Sequence, residues 1–155
     1  MKIIMAIFVA VLLSAQTFAA SKTLAERVVT MNTKVDYDEE YNKALDEMQQ
    51  LPEAEKTKLS KELGEILMKD KSSERRANAA SALGDMCGVV KSNAELLGKS
   101  FQDKAIPVRQ ATVSGLKRCE KTHPQVAATL KKMLQDKDES VKTMAKYALE
   151  ELGVK

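Results

Sequence analysis

Three segments of the chain share one spacing of apolar and polar positions. They begin at Asp70, Asp103 and Asp136 and read DKSSERRANAASALGDM, DKAIPVRQATVSGLKRC and DKDESVKTMAKYALEEL, so the Asp-Lys pair returns every 33 residues. Arg75, Val108 and Val141 stand five places after the aspartate, and Ala79, Thr112 and Ala145 nine places after. Ala82, Gly115 and Ala148 follow at twelve, Leu83, Leu116 and Leu149 at thirteen, and Met86, Cys119 and Leu152 at sixteen. Offsets of 5, 9, 12, 13 and 16 form one stripe of a 3.6-period helix. Its small middle residues let a neighbouring helix approach closely.

A second helix is predicted before each aspartate. PEAEKTKLSKELGEILMK opens at Pro52, SNAELLGKSFQ at Ser92 and HPQVAATLKKMLQ at His123-Pro124. Pro suits a first helical turn, and Ser or Asn a cap. Met68, Phe101 and Leu134, two places before the aspartates, and Leu97 and Leu130, six before, are the expected apolar anchors; Gly64 breaks the pattern. Each unit reads as a helical hairpin that cannot bury its apolar face alone, so successive units must stack. The expectation is an all-α chain with units at 52–90, 91–121 and 122–155. Residues 21–51 then serve as an N-terminal cap in which Tyr41, Ala44, Leu45 and Met48 share a face.

The first twenty residues, MKIIMAIFVAVLLSAQTFAA, follow a different plan. Lys2, the apolar run Ile3 to Leu13, and small residues around Ala19 make a secretory signal peptide, too short to span a bilayer. Export to the periplasm or extracellular space is expected, with no stable membrane anchor after cleavage near Ala19.

The turn and second helix resemble HEAT repeats, whose hallmark is an Asp in the turn followed by Val-Arg five and six residues on. Asp103 with Val108-Arg109 matches; Asp136 with Val141-Lys142 departs at the Arg, and Asp70 with Arg75-Arg76 at the Val. The resemblance implies a right-handed α-solenoid of about three stacked hairpins plus the N-terminal cap. It also implies that Asp70, Arg76, Asp103, Arg109, Asp136 and Lys142 form a structural ladder. Each Asp can accept from N–H groups at the second helix's start, and each guanidinium can reach an Asp of its own or a neighbouring unit. Lys142, a point charge instead of a fork, makes the weakest rung.

Composition adds little chemistry. The formal net charge is +3, too weak to imply nucleic acid, but residues 67–155 carry seventeen Lys/Arg against eleven Asp/Glu. His123, beside Pro124, is a turn residue, and one His with two distant Cys supplies no metal set. No phosphate loop or nucleophile motif occurs, so a monomeric non-enzyme without cofactor is expected. Cys87 and Cys119 fall at equivalent helix ends. Export favours a disulfide; helices spaced 8–10 Å apart oppose one, since a disulfide wants Cα atoms near 5.5 Å. Both readings stay open at this point. The resemblance further implies a protein-interaction scaffold using the concave face of the second helices. Gln110, Lys117, Lys146 and Tyr147 are the candidate partner-binding residues, Tyr147 first because it joins apolar area to a hydroxyl. The alternative is a small inhibitory or structural protein binding through the acidic segment at Asp36 to Glu40.

Overall fold

The computed structural model describes residues 23–30, 39–119 and 123–154. The expected signal peptide lies outside the described residues, as do Asp36 and Asp38 and the side chains of Glu39, Glu40 and Tyr41. Among the described residues there are eight helices and no strand. In chain order they are α1 (Leu24–Val29), α2 (Glu39–Gln50), α3 (Glu53–Lys69), α4 (Ser73–Asp85), α5 (Asn93–Lys99), α6 (Ile106–Arg118), α7 (Pro124–Met133) and α8 (Glu139–Glu151). No described helix is long and apolar enough to cross a membrane.

Helix α3 precedes α4, α5 precedes α6 and α7 precedes α8, each pair joined at a turn that opens on an aspartate. The helices after the turns form a contact series: α1 packs on α4, α4 on α6, and α6 on α8. Their shared stripe is the core. Ala79, Thr112, Ala145, Leu83, Leu116, Val108 and Val141 are all fully buried. The first residue of that stripe in the first segment is Arg75, which is half-buried and polar for a reason given below.

The earlier helices of the pairs differ from the expected pattern. Met68 is 42 % exposed, and Phe101 and Leu134 are only half-buried. The expected anchors six places before the aspartate, Leu97 and Leu130, are buried, and the rest of the buried face lies three and ten places before it instead of two: Leu67 and Ser60 beside Gly64; Ser100 and Asn93; Met133 and Val126. Spacings of three and four follow one helix face, and the residue two before the aspartate lies at its margin. Polar Ser60, Asn93 and Ser100 hid that face from a hydrophobicity reading. Ser100 also shortens α5, predicted to extend toward Gln102. Its hydroxyl bonds the Leu97 carbonyl at 2.8 Å and Thr112 Oγ1 at 2.6 Å, offering a partner other than the next helical turn.

The N-terminal region is part of the same core. Ala25, Val28 and Val29 of α1 and Ala44 and Met48 of α2 are buried. The Asn78 side chain donates to the Val29 carbonyl at 3.1 Å, tying α4 to α1.

Candidate functional site

Each turn is built by its aspartate. One carboxylate oxygen of Asp70, Asp103 and Asp136 accepts the backbone N–H two residues on, at 2.8 Å in all three. That closes the turn and leads the chain into the next helix. The other partners of the carboxylates come from the preceding turn-helix unit. Arg76 donates bidentately to Asp103, at 2.8 Å through both Nε and Nη2, and also to the Asp70 carbonyl at 2.9 Å. Arg109 repeats this with Asp136 at 2.7 and 2.9 Å and with the Asp103 carbonyl at 2.9 Å. Both guanidinium groups are almost wholly buried, so their pairing with carboxylate and carbonyl oxygens is obligatory. Burial alone would raise the carboxyl pKa of Asp103 and Asp136. The arginine bonds and the turn N–H outweigh it, and both are held below the ordinary value.

The two ends of this series are different. Among the described residues Asp70 meets no arginine from a preceding unit. Arg75, in the first turn of α4, supplies the bond at 2.7 Å and reaches Glu26 of α1 with its other two nitrogens, at 2.9 and 3.0 Å. The Arg75 bond is the main cause of Asp70's lowered pKa. Arg75 in place of Val thus joins Asn78 in fastening α1 to α4. At the other end, among the described residues, Lys142 pairs with Glu139 on its own helix and with no other carboxylate.

The cysteines sit near a close helix crossing. A Cβ placed on Gly84 of α4 would lie 2.4 Å from the Gly115 Cα of α6, so α4 tolerates no side chain there without moving; a Cβ on Gly115 would lie 3.0 Å from the Ala80 carbonyl oxygen and 3.1 Å from Leu97. This close approach removes the objection from ordinary helix spacing: Cys87 and Cys119 are joined, with Cα atoms 4.9 Å apart, and both are buried. Arg118 fastens the same crossing through Asp85 at 2.9 Å and the Ser81 carbonyl at 2.9 Å. Burial raises the Asp85 carboxyl pKa, and Arg118 opposes the shift.

The candidate partner-binding residues occupy two kinds of place. Gln110 and Lys117 bridge α6 to α8, to Ser140 at 2.8 Å and Glu151 at 2.7 Å, so they link helices as well as facing solvent. Lys146 stands at the offset of buried Ala80 and Val113; on the last helix that position is open, and Lys146 approaches Glu150 at 4.0 Å. Tyr147 is 59 % exposed and shares its offset with Ser81 and Ser114. His123 caps α7, its Nδ1 accepting from the Gln125 N–H at 3.3 Å. Two shallow grooves, of about 420 and 320 Å³, lie between α3 and α5 and beside the turns after α5 and α7; none of the four candidates lines them. Among the described residues no group of three or more His, Cys, Asp or Glu is placed to hold a metal. Comparison of the chain with protein-family models, curated proteins and solved structures finds no match.

Proposed function

We propose that the chain is an exported right-handed α-solenoid of the HEAT type that binds a protein partner on the concave face of α4, α6 and α8. The observation that carries this reading is Tyr147. A large amphipathic side chain stands exposed in a row whose other members are Ser81 and Ser114. Stacking requires nothing of that position, and an exposed tyrosine among small polar residues supplies the rigid contact area that interfaces favour. Arg118, Asp85 and Glu151 flank the row with charges of both signs, suited to a polar rim around such an anchor.

Crosslinking in the native envelope followed by mass spectrometry would identify the partner. Tyr147→Ala combined with Lys117→Glu should then weaken binding about tenfold, roughly 1.4 kcal/mol, with helicity unchanged and stability lowered by at most about 1 kcal/mol, since Lys117→Glu replaces the exposed ion pair to Glu151 by like charges. Unchanged affinity would transfer the site to the acidic segment around Asp36. Deleting residues 21–50 is a poor test of that alternative, because it would uncover α4 and strand Arg75 without Glu26. Asp36→Asn with Asp38→Asn tests it without deleting a packed helix.

A further inference from the structure

The aspartate of the repeated Asp-Lys pair is accounted for by the turn and the arginine bonds, but its lysine is not. Lys71, Lys104 and Lys137 are exposed at the same place in all three turns, and among the described residues no carboxylate pairs with them. Lys99 and Lys132, each four places before an aspartate, add exposed charge at the ends of α5 and α7. The turns are neighbours, since Arg76 and Arg109 bond across from one to the next. The lysines therefore line one edge of the molecule.

Most of the acidic groups on that edge are engaged. Asp70, Asp103 and Asp136 are bound by arginine, Asp138 caps α8, Glu139 pairs with Lys142 and Glu65 with Lys69; exposed Glu74 and Glu95, the latter in the groove beside Met68 and Lys99, are the remaining counter-charges. Apolar side chains are left uncovered among the lysines. Met68 is 42 % and Ile106 40 % exposed, and the Phe101 ring lies 5.5 Å below the Lys132 ammonium. Positive charge alone would serve any polyanion. Charge interleaved with exposed methionine and isoleucine fits a surface that has anionic headgroups above an apolar layer.

We propose that this turn edge binds the surface of an anionic phospholipid bilayer. The lysines meet the headgroup phosphates, while Met68 and Ile106 enter the boundary with the acyl chains. The proposal is independent of the concave-face reading, because the edge and the Tyr147 row occupy different offsets of the repeat.

Sedimentation of the purified protein with vesicles tests it. Binding is expected to vesicles of phosphatidylglycerol mixed into phosphatidylcholine and not to phosphatidylcholine alone. Lys71→Gln, Lys104→Gln and Lys137→Gln together should lower the partition about tenfold or more. Lys58→Gln, Lys117→Gln and Lys146→Gln together change the net charge equally and should lower it less than about twofold. Both variants share one N-terminus, so any contribution of the apolar Ile3–Leu13 run cancels in the comparison. If the edge triple loses helicity by circular dichroism, the three single variants, each expected to lose about twofold, give the same reading. Met68→Ser with Ile106→Ser should abolish the binding that survives in high salt. Equal losses in the two triples, or no binding to anionic vesicles, would overturn the proposal. So would preferential binding of a DNA oligonucleotide or polyglutamate that ignores the Met68 and Ile106 changes, which would mark a soluble-polyanion site.

Discussion

Arg109 and Lys142 hold the same place in successive segments, six residues after an aspartate, yet they do different work. Arg109 is 2 % exposed and grips Asp136 across a helix boundary. Lys142 is half-buried and, among the described residues, meets Glu139 alone, three residues back on its own helix. The residue type follows the neighbour: a fork is used where a carboxylate approaches from the next turn, and a point charge where the carboxylate met is on the same helix. In the first segment Arg75, from the start of α4, supplies the bond to Asp70.

The largest effect expected from this difference is on stability. Arg109→Ala leaves the Asp136 carboxylate and the Asp103 carbonyl buried without their donor, and should cost about 3–5 kcal/mol. Lys142→Ala breaks a pair whose Glu139 side chain is 82 % exposed, and should cost less than about 1 kcal/mol. Urea unfolding of both variants checks this, and equal costs would mean that the two positions are equivalent after all.

The helices after the turns were readable because their buried face is nearly all apolar or small and recurs in register. Leu83, Leu116 and Leu149 announce it. The preceding helices were harder, since Asn93 and Ser100 are buried with hydrogen bonds, and Ser60 by packing alone, none of which hydropathy encodes. Met68 drew attention as an anchor on hydropathy alone and proved exposed. The cysteine pair was undecidable from spacing, because the closeness of α4 and α6 depends on Gly84 meeting Gly115 across 31 positions. In the candidate site, the turn aspartates and arginines were legible, but the direction in which each arginine reaches was not. Glu26 carried no repeat signature and gave no sign of meeting Arg75.

The next effect sets the tight crossing against an open turn. Gly84→Ala puts a methyl group against the Gly115 backbone, so α4 and α6 must separate, at a cost of about 1–3 kcal/mol. Gly88→Ala has nothing within 4 Å and lacks a positive φ, so it should be neutral or stabilise by up to about 1 kcal/mol. Thermal melts under oxidising conditions compare the two. A destabilised Gly88 variant together with an unaffected Gly84 variant would relocate the crossing.

Acid should expose the same contrast through titration. The folded-state pKa values of Asp103 and Asp136 lie below the unfolded value of about 3.9. Their stabilisation is therefore complete above that value and lost as pH falls through the lower folded values. Asp85, raised by burial, has the opposite sign: its charge disfavours folding at neutral pH, and protonation relieves the penalty. Asp136→Asn should flatten the acid limb of a stability–pH curve measured by urea unfolding, whereas Asp85→Asn should steepen it. Parallel curves for the two variants would contradict the assignment.

The smallest expected effect is the most discriminating. If Lys142 were simply a poor version of Arg109, Lys142→Arg would repair the rung and stabilise the protein. The geometry argues otherwise. A guanidinium gains its advantage by gripping two carboxylate oxygens held at fixed positions. Arg109 has these in Asp136, which its own turn holds in place through the Asp138 N–H at 2.8 Å. At position 142 the available carboxylate is Glu139, a mobile side chain on an exposed helix surface, where a second hydrogen bond is offset by side-chain entropy and water. Lys142→Arg should therefore change stability by less than about 0.5 kcal/mol. A gain of more than about 1 kcal/mol would mean that a carboxylate beyond α8, from another copy or a bound partner, completes the rung. Repeating the measurement across a range of protein concentrations would separate these sources, because only the second-copy contact strengthens as the protein concentration rises.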